Sequence, residues 1–129
     1  MTDIISIVLA TLALFGYQPA VRGEQVPLTP PPIVYDGPCS EWAPLLAEYP
    51  GWDVAHMQKI MWRESRCTPG VTSPTGCCRG LLQVHSLWVK QVGHCGVTSA
   101  SDLYDPVKNI CAAAHIFNTQ GMQAWSQTR

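Results

Sequence analysis

The chain has no C-x-x-C pair and no H-E-x-x-H motif, and His56, His85, His94 and His115 are scattered along it. Zinc ligand spacing is therefore missing, and neither a metal nor another cofactor is expected. Basic excess is missing too. A net charge of -1 with a pI near 6.4 gives no field to gather nucleic acid or an anionic membrane surface, so binding must be local and set by shape. Apart from one proline-rich stretch there is no low-complexity segment, and no internal repeat that would suggest a solenoid. One further absence bears on chemistry: no Asp or Glu occurs between Glu64 and Asp102.

What is present fits one small domain with a head and a spacer. The length of 129 residues and the 47% apolar content suffice for a core even if the first 38 residues lie outside it. The six cysteines, at 39, 67, 77, 78, 95 and 111, are too many for an ordinary reduced cytosolic protein and point to an oxidising compartment with three disulfides. Their pairing stays open. Adjacent Cys77 and Cys78 are expected not to bond each other, whereas Cys95 with Cys111, or Cys67 with Cys77, would close short local loops.

Residues 4–17 form an uncharged run of 14, short for a membrane span and suited to a signal-peptide core. Asp3 precedes it where a basic residue is usual, and Ala20 after Pro19 offers a poor cleavage site. Residues 1–17 therefore read as a signal peptide or an uncleaved membrane anchor, and a buried N-terminal helix is the plainer alternative. Residues 18–38 contain Pro19, Pro27, Pro30, Pro31, Pro32 and Pro38 and read as an extended linker. The domain then occupies residues 39–129.

Within it, residues 39–48 predict a short amphipathic helix built on Trp42, Leu45 and Leu46. Asp53 can cap a second helix running to about Arg66. At ~100° per residue, Val54, Met57, Ile60 and Met61 form the inward stripe, and Glu64 falls inside it while Lys59, Arg63 and Arg66 face away. Pro69, Gly70, Pro74 and Gly76 predict a loop or short hairpin beside the helix end that carries Glu64. Residues 80–92 should begin extended and turn helical near Ser86. Residues 93–96 read as a turn and 107–118 as an alanine-rich helix, and the closing residues 121–129 are short enough to fray. The sum is mainly α with little or no sheet.

A carboxyl on an apolar helix face is favoured in its neutral form, and an acid that keeps its proton near neutral pH can protonate a leaving oxygen, as glycosidic cleavage requires. Glu64-Ser65, then Pro69, Ser73, Gly76 and Gly80-Leu81-Leu82-Gln83, and later Asn109-Ile110, resemble the ordered motifs of the lysozyme-like lytic transglycosylases that cut bacterial peptidoglycan. The resemblance covers roughly residues 39–125. It implies a lysozyme-like α+β domain with Glu64 as the single catalytic acid, Ser73 orienting a sugar or the carboxyl, and Gln83 contacting an N-acetyl sugar. Cys77-Cys78-Arg79 makes the loop one residue longer than the family pattern. A later Ala-Tyr-Asn segment, whose tyrosine hydrogen-bonds the acid in many relatives, is absent, and Tyr104 is the candidate substitute.

The expected reaction is cleavage between N-acetylmuramic acid and N-acetylglucosamine with 1,6-anhydro ends, because ordinary glycosidases need a second carboxylate. The alternatives are a hydrolytic muramidase recruiting Asp102 or Asp105, though both fit helix caps and turns, and a non-catalytic glycan-binding or assembly module. Trp62 and Trp88 could stack on sugars, although tryptophans are more often core. Arg79 could meet a muramic lactyl or peptide carboxylate, although a solvated arginine is the commoner case. The expected partner is peptidoglycan outside the cytoplasm, with membrane attachment through residues 1–17 and a role in a cell-envelope or virion assembly left open.

Overall fold

The computed structural model describes Val26 and residues 28–128, so the expected signal peptide or anchor at 1–17 lies outside the described residues. Val34–Arg129 forms one compact unit. It is mainly helical, with a single two-stranded sheet among the described residues. None of the described helices is long and apolar enough to cross a membrane.

The first helical segment is a 3-10 turn, Ser40–Trp42, leading into α1, Ala43–Leu46. Pro44 sits in the first turn of α1, where its missing N–H costs nothing. Two indoles fasten this segment: Trp42 Nε1 donates to the Cys67 carbonyl at 3.1 Å and Trp52 Nε1 to the Leu46 carbonyl at 2.8 Å.

Helix α2, Val54–Ser65, starts as the sequence predicts, with the Asp53 carboxylate accepting the His56 N–H at 2.7 Å. Met57, Ile60 and Met61 are buried at helical spacing, which gives the stripe its core. Gln58 is buried as well. Its amide donates to the carbonyls of Asp36 and Pro38, both at 2.9 Å, and so pins the entering chain to the helix. Arg66 and Cys67 both adopt positive φ (55° and 63°), which stops the helix and turns the chain toward Cys39.

After the loop, β1 (Cys78–Arg79) pairs antiparallel with β2 (Val84–His85), matching Cys78 with His85 and Arg79 with Val84. The switch to helical geometry at Ser86 occurs as expected. Ser86–Gln91 is a 3-10 helix whose first turn is capped by His85 Nδ1, accepting from the Leu87 N–H at 3.0 Å. Short 3-10 turns, Gly93–Cys95 and Ala100–Tyr104, lead to α3, Pro106–Gln120. Its alanine-rich face (Ala112, Ala113 and Ala114, with Ile110 and Ile116) fills the core against α1 and the hairpin.

Two expectations are corrected here. The C-terminal segment does not fray: Gly121–Thr128 is a 3-10 helix, kinked at Trp125, and that indole is buried and donates to the Leu82 carbonyl at 3.0 Å. The disulfides are Cys39–Cys67, Cys77–Cys78 and Cys95–Cys111. Only the last was among the favoured local loops. Cys67 cannot serve Cys77 because the left-handed turn after α2 delivers it to Cys39, and Cys77 and Cys78 are left to bond each other.

Candidate active site

Glu64 sits in the last turn of α2 at the angular position expected of it, between Ile60 and Met61. Those two and the following Ser65 are buried, but Glu64 itself is only half-buried, because the buried arc of α2 opens to solvent at this end. A group at such an edge has apolar neighbours on one side and access for a ligand on the other.

Ser73, Gln83 and Tyr104 converge on one short strip, residues 71–73. Gln83 is held at φ 49°, a left-handed conformation rare for a residue with a side chain. Its amide folds back to donate to the carbonyls of Val71 at 3.1 Å and Gly80 at 3.0 Å. With both amide hydrogens spent on the main chain, what Gln83 offers a ligand is its carbonyl oxygen. The Tyr104 hydroxyl bonds the Thr72 hydroxyl. That bond, and after it the Arg79 guanidinium, pull the phenol below its ordinary range, while burial pushes the other way. Arg79 is half-buried, and its Nη1 is enclosed without a hydrogen-bond partner among the described residues. Ser73 spends its hydroxyl on its own loop, accepting from the Cys78 N–H at 3.2 Å and lying 3.4 Å from both Thr75 Oγ1 and Cys77 Sγ.

Two residues the motif reading did not use for the site hold this geometry together. Asn109 is fully buried; its Oδ1 accepts from the Leu82 N–H at 2.9 Å, and its Nδ2 donates to the carbonyls of Arg79 at 2.9 Å and Leu103 at 2.7 Å. The Asn-Ile pair opening α3 and the Gly-Leu-Leu-Gln turn are therefore one hydrogen-bonded unit. Gly80 is obligatory in it, at φ 82°, since a Cβ there would lie 2.2 Å from the Leu103 carbonyl and 2.3 Å from Asn109 Nδ2. Trp125 is the second such residue, bound to the same turn through Leu82. In the sequence it looks like one more aromatic near a chain end, with no periodic partner to mark it.

The remaining acids toward the C-terminus have structural work. Asp102 Oδ2 accepts from the Thr98 N–H at 2.8 Å, the Thr98 hydroxyl at 3.0 Å and the Ser99 N–H at 3.2 Å. Those bonds, the Thr98 N–H first, hold its pKa at about 2. Asp105 caps α3 by accepting the Lys108 N–H at 3.0 Å. Of the tryptophans considered for stacking, Trp62 is exposed rather than core, with the Arg66 guanidinium 4.6 Å above its ring. Trp88 lines a cavity of about 150 Å³ together with Gln83, Cys78 and Trp125.

Residues 47–126 match the family model of the Transglycosylase SLT domain, a span that contains Glu64, Ser73, Gln83 and Tyr104. No curated protein and no solved structure matches the chain.

Proposed function

The chain belongs to the Transglycosylase SLT family, lysozyme-like enzymes acting on peptidoglycan, and from that premise we propose that it is a lytic transglycosylase with Glu64 as its single general acid and base. Glu64 protonates the oxygen linking N-acetylmuramic acid to N-acetylglucosamine, and the C1–O bond breaks. The muramic C6 hydroxyl then attacks C1 and gives its proton to the Glu64 carboxylate. The products are a 1,6-anhydromuramic end and a free N-acetylglucosamine 4-hydroxyl, with no water consumed. The substrate supplies the nucleophile at high effective concentration, so no second carboxylate is needed.

The observation that carries this reading is the fate of the other acids. Asp102 and Asp105, the two carboxylate side chains that follow Glu64 in the sequence, are committed to helix caps, so both candidates for a second carboxylate already have structural partners. Gln83 presents its carbonyl to the N–H of an N-acetyl group, and Tyr104 and Ser73 flank it along residues 71–73. Three disulfides agree with work outside the cytoplasm, where the substrate lies. Digestion of purified sacculi by the wild type and by Glu64→Gln tests the reading: soluble muropeptides should appear with the wild type and fall about a hundredfold or more with the variant. Equal release by both proteins would remove Glu64 from the chemistry, and release by neither would favour a glycan-binding module.

A further inference from the structure

The zinc-ligand spacing that the local sequence lacks is assembled by the fold where the 3-10 turn Gly93–Cys95 meets α3. His94 and Cys95 are neighbours on the turn, and Cys111 and His115 stand four residues apart on α3, which puts both on one helix face. The bonding atoms of His94, Cys95 and Cys111 lie within 4.8 Å of one another. His115 joins them through its ring, whose centroid is 5.1 Å from that of His94. Two cysteines with two histidines are a donor set of structural zinc.

The spacing suits zinc as well as the donor types do. Two imidazoles on one tetrahedral ion, with Zn–N at about 2.0–2.1 Å, hold their ring centroids about 5.2 Å apart, close to what His94 and His115 already show. Two thiolates on that ion, with Zn–S at about 2.3 Å, stand about 3.8 Å apart. The Cα atoms of Cys95 and Cys111 are 5.6 Å apart, so side-chain rotation reaches that separation once the disulfide is broken. The backbone has its own supports. The Cys95 N–H donates to the Val92 carbonyl at 3.0 Å and the Gly96 N–H to the Gly93 carbonyl at 2.9 Å, and Val92 and Val97 are buried on either side of the turn. Both cysteines are half-buried and His94 is exposed, which gives an ion access from solvent. The ammonium of Lys108, which passes beside Gly96, is paired with Asp102 at 3.4 Å, and that partner offsets its charge.

We propose that the Cys95–Cys111 disulfide and a zinc ion are alternative clasps of one joint, and that in the dithiol state Cys95, Cys111, His94 and His115 bind one Zn2+. A small dithiol breaks the S–S bond, supplying two electrons and two protons as it closes its own disulfide. Zinc then displaces the two thiol protons, and the imidazoles bind as neutral ligands. A disulfide oxidant reverses the exchange: it takes two electrons from the thiolates and two protons from solvent to become two thiols, the protein sulfurs bond, and Zn2+ leaves. Either clasp ties the turn to α3.

The test uses the full chain, reduced with dithiothreitol, freed of reductant under argon and titrated with Zn2+ against a competing chelator. One equivalent should bind, and alkylation mapping should find Cys95 and Cys111 protected by it. His94→Ala and His115→Ala should each weaken binding by at least about tenfold. Changing both Cys77 and Cys78 to Ser should leave binding intact, which separates this site from the other thiol and imidazole cluster, Cys77, Cys78 and His85. Co2+ in place of Zn2+ should give the absorption of a tetrahedral two-thiolate site, and oxidised glutathione should release the ion and restore Cys95–Cys111. Where reduction abolishes the folded circular-dichroism signal, one equivalent of Zn2+ should restore it, since binding then drives folding. The proposal is overturned by no binding, by protection spread over all six cysteines, by loss of binding in the Cys77 and Cys78 double variant, by full affinity without His94 and His115, or by a reduced chain that Zn2+ fails to refold.

Discussion

Asn109 shows how one amide can hold a site without touching substrate. Its three bonds satisfy the Leu82 N–H and the carbonyls of Arg79 and Leu103 inside the core. Replacement by Leu keeps the volume and strands those groups, each costing about 1–3 kcal/mol. Asn109→Leu should therefore lose on the order of 3 kcal/mol or more in denaturant unfolding, and activity should fall with the Gln83 turn. Asp102 gives a pH-dependent counterpart. Its pKa falls from an ordinary 3.8 to about 2 on folding, so its stabilisation is complete above about pH 4 and is lost as pH drops toward about 2. Asp102→Asn should lower Tm at neutral pH, with the gap to the wild type closing by about pH 2 in a series of thermal scans. An unchanged gap across that range would mean that the carboxylate charge contributes nothing to the cap.

The elements differ in how plainly the sequence announces them. Helix α2 was legible because Asp53, the spacing of Met57, Ile60 and Met61, and the stop before Pro69 all agree. The extended start and helical turn at Ser86 were legible for a similar reason, since Gly80 and the mixed apolar spacing forbid a continuous helix. The C-terminal 3-10 helix was not legible, because it is held by tertiary contacts such as the Trp125 indole bonded 43 residues back to Leu82, and no local pattern carries that information. Its contribution is measurable. Trp125→Phe keeps most of the ring but leaves the Leu82 carbonyl unpaired, and should cost about 1–2 kcal/mol. Trp125→Ala should cost about 3–5 kcal/mol and enlarge the two cavities that the indole lines. If Trp125→Ala unfolds at the wild-type denaturant midpoint, the segment is not part of the folded unit.

For the whole molecule, the disulfides decide how the small core is supported. Cys39–Cys67 spans 28 residues and ties the start of the domain to the end of α2, immediately after Glu64. By loop entropy, such a link stabilises by about 3–4 kcal/mol. Changing both Cys39 and Cys67 to Ser should lower stability by that order and reduce activity before the domain unfolds. Changing both Cys77 and Cys78 to Ser closes no long loop and should act mainly on the Ser73 turn. The Cys39–Cys67 pairing was not legible from spacing, because it depends on two consecutive left-handed residues, Arg66 and Cys67, that reverse the chain. The motif residues themselves were legible. Their grouping was only half so: Ser73, Gln83 and Tyr104 do converge, but through Val71, Thr72 and Asn109, whose roles are hydrogen bonds rather than chemistry.

The proposed chemistry uses one carboxyl without a water-activating partner, and the oxygen balance of the reaction tests this directly. Peptidoglycan digested by the wild type in isotopically labelled water should yield 1,6-anhydromuramic ends that carry no label. Reducing ends labelled at C1 would contradict the account and require a second carboxylate.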